Sequence, residues 1–174
     1  WARVTGDDSA LERALWLAAA VDASARDREY GGYIEALSRD WTPTDRMALS
    51  EVDPDVPKSM NTNLHVLEAL TELLRASSSP TVAESLETLL RTVLDSVMQA
   101  APFPHCALYF DESWDSRSDG VSYGHDIEGS WLLWDAWEAL AACGLDDADL
   151  EWRTREAALD LAEAVRHRGV AADG

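Results

Sequence analysis

Between Asp126 and Cys143 the only charged residues are Asp126, Glu128, Asp135 and Glu138, and Trp131, Trp134 and Trp137 recur at every third position. A helix that is apolar on nearly every side cannot lie half-wet on a surface, so this segment predicts a buried helix with neighbours all round it. The three tryptophans are expected in that packing. Gly144 stops the helix and Asp146 offers a cap for the next, in which Leu150, Ala157, Ala158, Leu161 and Val165 mark one face of an amphipathic helix ending near Gly169.

The same pairing occurs earlier in the chain. A buried helix is expected from about Ser59 to Ala76, and Ser79-Pro80 supplies a cap and a first-turn proline for an outer, half-wet helix running to about Gln99. In that outer helix Val82, Leu86, Leu89, Val93 and Val97 share a face. A first helix spans Ser9 to about Ser24, with Leu11, Ala14, Leu15 and Ala18 in its stripe and Asp7, Asp8 and Ser9 as capping candidates. Two extended excursions separate the helices. Gly31-Gly32 marks a turn before an alternating strand or hairpin arm at Tyr33 to Ser38, and FPHCALYFDESW predicts a second short hairpin or strand pair, around Pro102 to Trp114. Five helices alternating between inner and outer positions are what a helical toroid or solenoid requires.

Charge narrows the partners. Against 33 Asp and Glu the chain sets 14 Lys and Arg, a net charge of −19 that repels nucleic acid and anionic membrane alike. No apolar run approaches the roughly 18–20 residues of a bilayer span. Trp1 opens the chain and no Met precedes Met47, which reads as a processed chain or an internal slice of a longer one. Cys106 and Cys143 form no C-x-x-C pattern and read as semi-buried thiols, a disulfide between them being the lesser alternative; a cytoplasmic setting is the expectation.

Two clusters could carry chemistry. On the second helix Asn61, His65, Glu68 and Glu72 form one polar stripe opposed by Leu64, Val66, Leu67, Leu70 and Leu74; the plainest reading is a solvated face. In SYGHDIEGSWLL, Gly124 is expected to end the preceding loop, and His125 and Glu128 share a face at the opening turn of the buried helix, where both can point into one cavity. The competing reading makes Asp126 or Glu128 a capping group for the first amides. A two-histidine metal site lacks the H-E-x-x-H or E-x-x-H spacing, and no serine or cysteine sits in a nucleophile elbow. His105 and His167 have no polar company that suggests chemistry, and His167 more plausibly serves a helix C-terminus. Tyr30, Tyr33, Trp41, Trp114 and Tyr123 give the loops a ring density suited to stacking on sugar faces.

Three segments, EYGGYIEALSRDW, KSMNTNLHVLEALTELLR and SYGHDIEGSWLL, resemble the N-acylglucosamine 2-epimerase family, and the last two are most similar to its cellobiose 2-epimerase branch. Gly129 stands where that pattern has alanine. The resemblance implies an all-α chain, part of an (α/α)6 barrel with short β-hairpins in the loops, in which residues 1–174 form a single domain and the central segment of the barrel. It implies an isomerase that inverts C2 of the reducing-end glucose of a β-linked disaccharide, or of a related aldose, through an enediolate and without a metal or other cofactor. His125, His65 and Glu128 would be catalytic: His125 one member of the acid/base couple, His65 at the ring or C1 oxygen, Glu128 orienting His125 or binding hydroxyl. Asn61 would hold the enediolate oxygens, and Tyr33, Trp41 and Tyr123 would contact substrate. The family's second acid/base histidine and its N-terminal arginine have no counterpart in the chain. A mannose isomerase, a glycoside hydrolase using Glu128 and Asp126, and a non-catalytic carbohydrate-binding scaffold remain as alternatives. A cut barrel would expose an apolar seam and should oligomerise or aggregate.

Overall fold

The computed structural model describes residues 2–48, 50–51 and 54–170; Trp1 lies outside them. The described residues hold six α-helices: α1 (Ala2–Thr5), α2 (Asp8–Ala25), α3 (Met60–Ser77), α4 (Pro80–Thr92), α5 (Tyr123–Ala142) and α6 (Ala148–Arg168). The single-turn α1 was not expected. α4 gives way to a π-helical turn over Val93–Val97, so the third expected helix reaches nearly to Gln99 but changes its winding on the way.

α3 and α5 pack side by side as the inner pair; α4 lies against both, α6 runs along α5, and α2 flanks α3. Periodicity explains each assignment. α4 buries Val82, Ser85, Leu86, Leu89 and Leu90, one face only, whereas α5 buries nine residues spread around about half of its circumference. Leu64, Leu67 and Leu74 of α3 meet Leu132, Leu133 and Leu140 of α5 in a core where each is at most 1% exposed. Complete burial of one such leucine stabilises the fold by about 1.5–3 kcal/mol.

The tryptophan row divides. Trp137 is buried at 5% exposure and Trp134 is half-buried, but Trp131 stands 53% exposed, beside the exposed Ile127. One stripe of α5 is therefore uncovered, and so is the stripe of α3 that carries His65, Ala69 and Glu72. The inner helices show these flanks to solvent while their other sides are packed.

The first excursion forms no hairpin, and the strands of the second pair with partners outside its expected bounds. Tyr33 to Ser38 contributes only isolated bridges, Arg26 to Tyr33 and Leu37 to Pro43. Between Pro102 and Trp114 there are two short strands, β3 (His105–Cys106) and β4 (Tyr109–Phe110), which do not pair with each other. β4 pairs antiparallel with β1 (Lys58–Ser59), and β3 with β2 (Met98–Gln99). The β1–β4 pairing is long-range and ties the loop to the start of α3, whereas β2–β3 is a local hairpin that turns through residues 100–104.

Helix starts also shift. Ser122, not a residue after Gly124, caps α5, so Gly124 lies within the first turn. Asp147 rather than Asp146 caps α6, accepting from the amides of Asp149 and Leu150. Ser79 takes the cap position of α4 without a side-chain hydrogen bond. The cysteines are free, Cys106 fully buried and Cys143 exposed.

Candidate active site

Asn61 is the second residue of α3 and His125 the third of α5. Their side chains meet, His125 Nε2 lying 3.1 Å from Asn61 Oδ1, which fixes the two inner helices as parallel neighbours with their N-termini at one end. Ser122 closes the opposite edge of the ring, with Oγ 2.8 Å from His125 Nδ1. Because the carbonyl oxygen of Asn61 only accepts, Nε2 donates to it; Ser122 then donates to Nδ1 of the neutral imidazole. These groups stand on the wall of a cavity of about 330 Å³, with Glu35, Ser59 and Tyr109 beside them.

The loop carrying Glu35 is pinned from beneath. Asn63, fully buried on α3, accepts from the amide of Tyr33 at 2.8 Å and donates to the carbonyls of Tyr33 and Ser59. Ser59 caps α3 by accepting from the amide of Thr62, and its hydroxyl donates to the Glu35 carboxylate in a very short contact. Lys58, entirely buried, donates from Nζ to Asp27 Oδ2 and to the carbonyl of Glu112, each at 2.6 Å, and lies 4.7 Å from the ring centre of Trp114. One ammonium thus binds the two loops that flank the entrance of α3. Gly32 lies under Trp114 with φ +74°, where a Cβ would sit 2.3 Å from the indole; only glycine fits both the backbone and the space.

The other residues expected at the site fall nearby or elsewhere. His65 lies one turn beyond Asn61 on the same stripe of α3, exposed, its Nδ1 3.1 Å from Glu68 Oε2. Nδ1–H donates to that carboxylate, which leaves Nε2 of the neutral ring bare. His65 lines a separate apolar groove of about 340 Å³ between α2 and α3. Tyr33 and Trp41 line a third cleft, of about 390 Å³, that shares Glu35 with the His125 cavity. Tyr33 is 3% exposed and its hydroxyl donates to Asp22, an arrangement in which burial and the neighbouring carboxylate push the phenol up to about 12. Glu128 is half-buried one turn along α5 from His125, makes no hydrogen bond among the described residues and does not line the cavity. Tyr123 opens α5 but is absent from the cavity wall; its ring stacks on Phe103, with centroids 6.3 Å apart.

Asp126 neither caps α5 nor faces the cavity. It is fully buried, Oδ1 accepting from the amide of Cys106 at 2.9 Å while Oδ2 has no partner, and burial raises its carboxyl above the usual range. Asp126 and Glu128 therefore do not flank the cavity as a pair. His105 donates from Nδ1 to the Phe103 carbonyl at 2.8 Å, and His167 pairs with Glu163 near the end of α6. Among the described residues no group of three or more His, Cys, Asp or Glu is arranged to hold a metal ion, and no helix is long and apolar enough to cross a membrane. Glu35 and Ser122 were not singled out from the sequence. The serine three residues before His125 is a capping signal that could have flagged Ser122, but only the fold brings Glu35 to this wall.

No protein-family profile matches the chain. Curated relatives do: it is 37% identical over 167 residues to cellobiose 2-epimerase of Bacteroides fragilis, covering 96% of this chain and 42% of that protein. It is 34% identical over 164 residues to cellobiose 2-epimerase of Ruminococcus albus, covering 94% and 40%. Among solved structures, cellobiose 2-epimerase from Bacillus thermoamylovorans superposes with a TM-score of 0.86 at 30% identity, over 99% of this chain and 42% of that one. A sugar epimerase from a ruminal bacterium gives a TM-score of 0.85 at 33% identity, over 97% and 41%. The chain thus spans about two fifths of the length of the relatives it matches. Its paired inner and outer helices match part of an (α/α)6 barrel, and over the stretch it spans the chain is similar in sequence and in structure to cellobiose 2-epimerases.

Proposed function

We propose that this chain carries one half of the acid/base machinery of a sugar 2-epimerase, acting on the reducing-end glucose of a β-linked disaccharide or on a related aldose. The observation that carries the reading is the Asn61–His125–Ser122 contact on the wall of a sugar-sized cavity at the N-termini of two parallel inner helices. Inverting C2 means opening the ring, removing the proton α to the C1 aldehyde, and returning a proton to the other face of the planar enediolate. A carbon acid that weak needs a positioned base and hydrogen bonds to the developing oxyanion, which imidazole and amide groups supply.

In this reading His125 is one member of the acid/base couple, and the facing histidine comes from outside this stretch. Asn61 donates from its amide to the enediolate oxygens. His65, one turn beyond Asn61 on the exposed stripe of α3, contacts the ring or C1 oxygen of a sugar that extends past the cavity wall and helps opening. Glu128, one turn from His125, binds a sugar hydroxyl. The cleft of Tyr33 and Trp41, joined to the cavity through Glu35, takes the remainder of a two-ring substrate. The partner is a small sugar, and nucleic acid and membrane have no place in the reading. Two free thiols, Cys106 and Cys143, fit a cytoplasmic setting.

The test replaces the matching stretch of the Bacteroides fragilis relative with this chain and follows loss of the C2 hydrogen of cellobiose in deuterated water. The hybrid should exchange it, and His125→Asn should slow exchange by at least ~100-fold. Undiminished exchange in that variant removes His125 from the role. Reducing sugar released without deuterium uptake would replace the epimerase reading with hydrolysis.

A further inference from the structure

The His125 ring is held at both nitrogens by neutral oxygen-bearing groups, Nδ1 by Ser122 Oγ at 2.8 Å and Nε2 by Asn61 Oδ1 at 3.1 Å. The two partners differ in kind. A carbonyl oxygen accepts only, so it demands hydrogen on Nε2, whereas a hydroxyl donates or accepts and places no demand of its own on Nδ1. Ser122 is also the N-cap of α5, with Oγ facing the amide of His125 at 3.5 Å. The group that starts the helix therefore also sets the rotation of the imidazole three residues on, and the ring cannot turn its Nδ1 edge to the cavity without losing that contact.

We propose that Ser122 is a positioning residue for His125, one that keeps Nε2 as the nitrogen facing the cavity and lets the ring change its proton count without changing its aim. In the neutral ring Nε2 carries the hydrogen and Ser122 donates to bare Nδ1. In the cationic ring Ser122 turns its hydroxyl and accepts from Nδ1–H, while Nε2–H still points to Asn61. If Nε2 gives up its proton to a bound carbon, the ring is left neutral with hydrogen on Nδ1, and Ser122 goes on accepting. A carboxylate or a backbone carbonyl at this place would suit two of these states and oppose the third; a hydroxyl suits all three. The use of this arrangement in proton return rests on the sugar-epimerase reading, but the tautomer and its dependence on Ser122 do not.

The experiment uses the whole chain, nitrogen-15 labelled, and records long-range proton–nitrogen correlations of the His125 ring on the basic side of its titration. The expected result is a neutral ring in one state, with hydrogen on Nε2 and Nδ1 shifted by an accepted hydrogen bond. Ser122→Ala should move the Nδ1 signal to that of a nitrogen without a donor, with both ring nitrogens broadened by alternative ring orientations, and Ser122→Thr should restore the original signals. Hydrogen on Nδ1 in the unaltered neutral ring, or ring signals in Ser122→Ala identical to the original, would overturn the proposal. Backbone amide spectra report whether Ser122→Ala is folded. If it is not, Ser122→Thr decides alone, and a folded Ser122→Thr with altered ring signals also counts against the proposal. None of these readouts requires sugar to bind, so a failure of the epimerase reading leaves its own separate mark in the deuterium assay.

Discussion

Asn61 and His125 are separated by 64 residues in sequence and joined by a single 3.1 Å hydrogen bond, His125 Nε2 donating to Asn61 Oδ1. That contact brings together the opening turns of the two buried helices, and it puts an amide and an imidazole on one cavity wall. In the hybrid enzyme Asn61→Ala should reduce C2 exchange of cellobiose by roughly 100-fold, the usual loss when one donor to a developing oxyanion is removed. Asn61→Asp should lose at least as much, since it keeps the acceptor for His125 but sets a negative charge where the enediolate develops. Full exchange in Asn61→Asp would mean that the amide donor has no part in the reaction.

Lys58 is the buried clasp beneath the site, and its loss should be costly. Lys58→Met removes the cation from Asp27 and frees the loop at Glu112, for which a destabilisation of about 3–5 kcal/mol is expected. Urea unfolding followed by tryptophan fluorescence measures it. A loss below ~1 kcal/mol would place the loops' anchorage elsewhere, in the Asn63 contacts.

The same pair predicts acid sensitivity. Burial pulls the Asp27 carboxyl upward, but hydrogen bonds from Lys58 and from the amides of Tyr30 and Glu29 outweigh it and hold it below the usual carboxylate range. Asp22 behaves alike: burial raises it, and Arg26, Arg28 and Tyr33 bring it down further than burial lifts it. A carboxyl lowered on folding contributes stability that is complete above its unfolded value and is lost as pH falls through the folded one. Asp27→Asn should therefore flatten the acid limb of the stability profile, and an unchanged limb would show that other carboxylates govern it.

Asp126 works with the opposite sign. Burial raises its carboxyl, against the lowering effect of the Cys106 amide, so the ionised form costs stability at neutral pH and that cost fades as pH falls. Asp126→Asn keeps an acceptor for Cys106 and carries no charge, so it should be no less stable than the original at neutral pH, with any advantage shrinking in mild acid. Asp126→Ala orphans the Cys106 amide and should lose about 1–3 kcal/mol. Denaturant midpoints of both variants at the two pH values check the pair of expectations.

Gly32 tests the loop geometry. Gly32→Ala requires a side-chain residue at φ +74° and places Cβ 2.3 Å from Trp114 and 2.9 Å from Asn63 Oδ1. The backbone alone should cost about 1–3 kcal/mol, and displacement of Trp114 should add to it. A midpoint within error of the original would show that the loop can shift freely on α3.

What the amino-acid sequence determined by itself is the set of helices and their rank. Heptad-like spacing in α4 and the nearly unbroken apolar run of α5 fix which helix is outer and which inner, because burial on one side or on most sides leaves its mark at every third or fourth residue. The motif residues Asn61, His65 and His125 were legible too, as local patterns. The tertiary structure alone decided what those patterns touch. β1 and β4 pair across the chain instead of forming local hairpins, since register is set by helices already packed. Asp126, read as a capping or catalytic carboxylate, is sealed in the core, while Glu35, unremarkable in an alternating stretch, arrives on the cavity wall. Trp131, apolar and expected inside, stands in solvent because burial depends on a neighbour being there, and a neighbour is a property of the assembled fold and not of the helix.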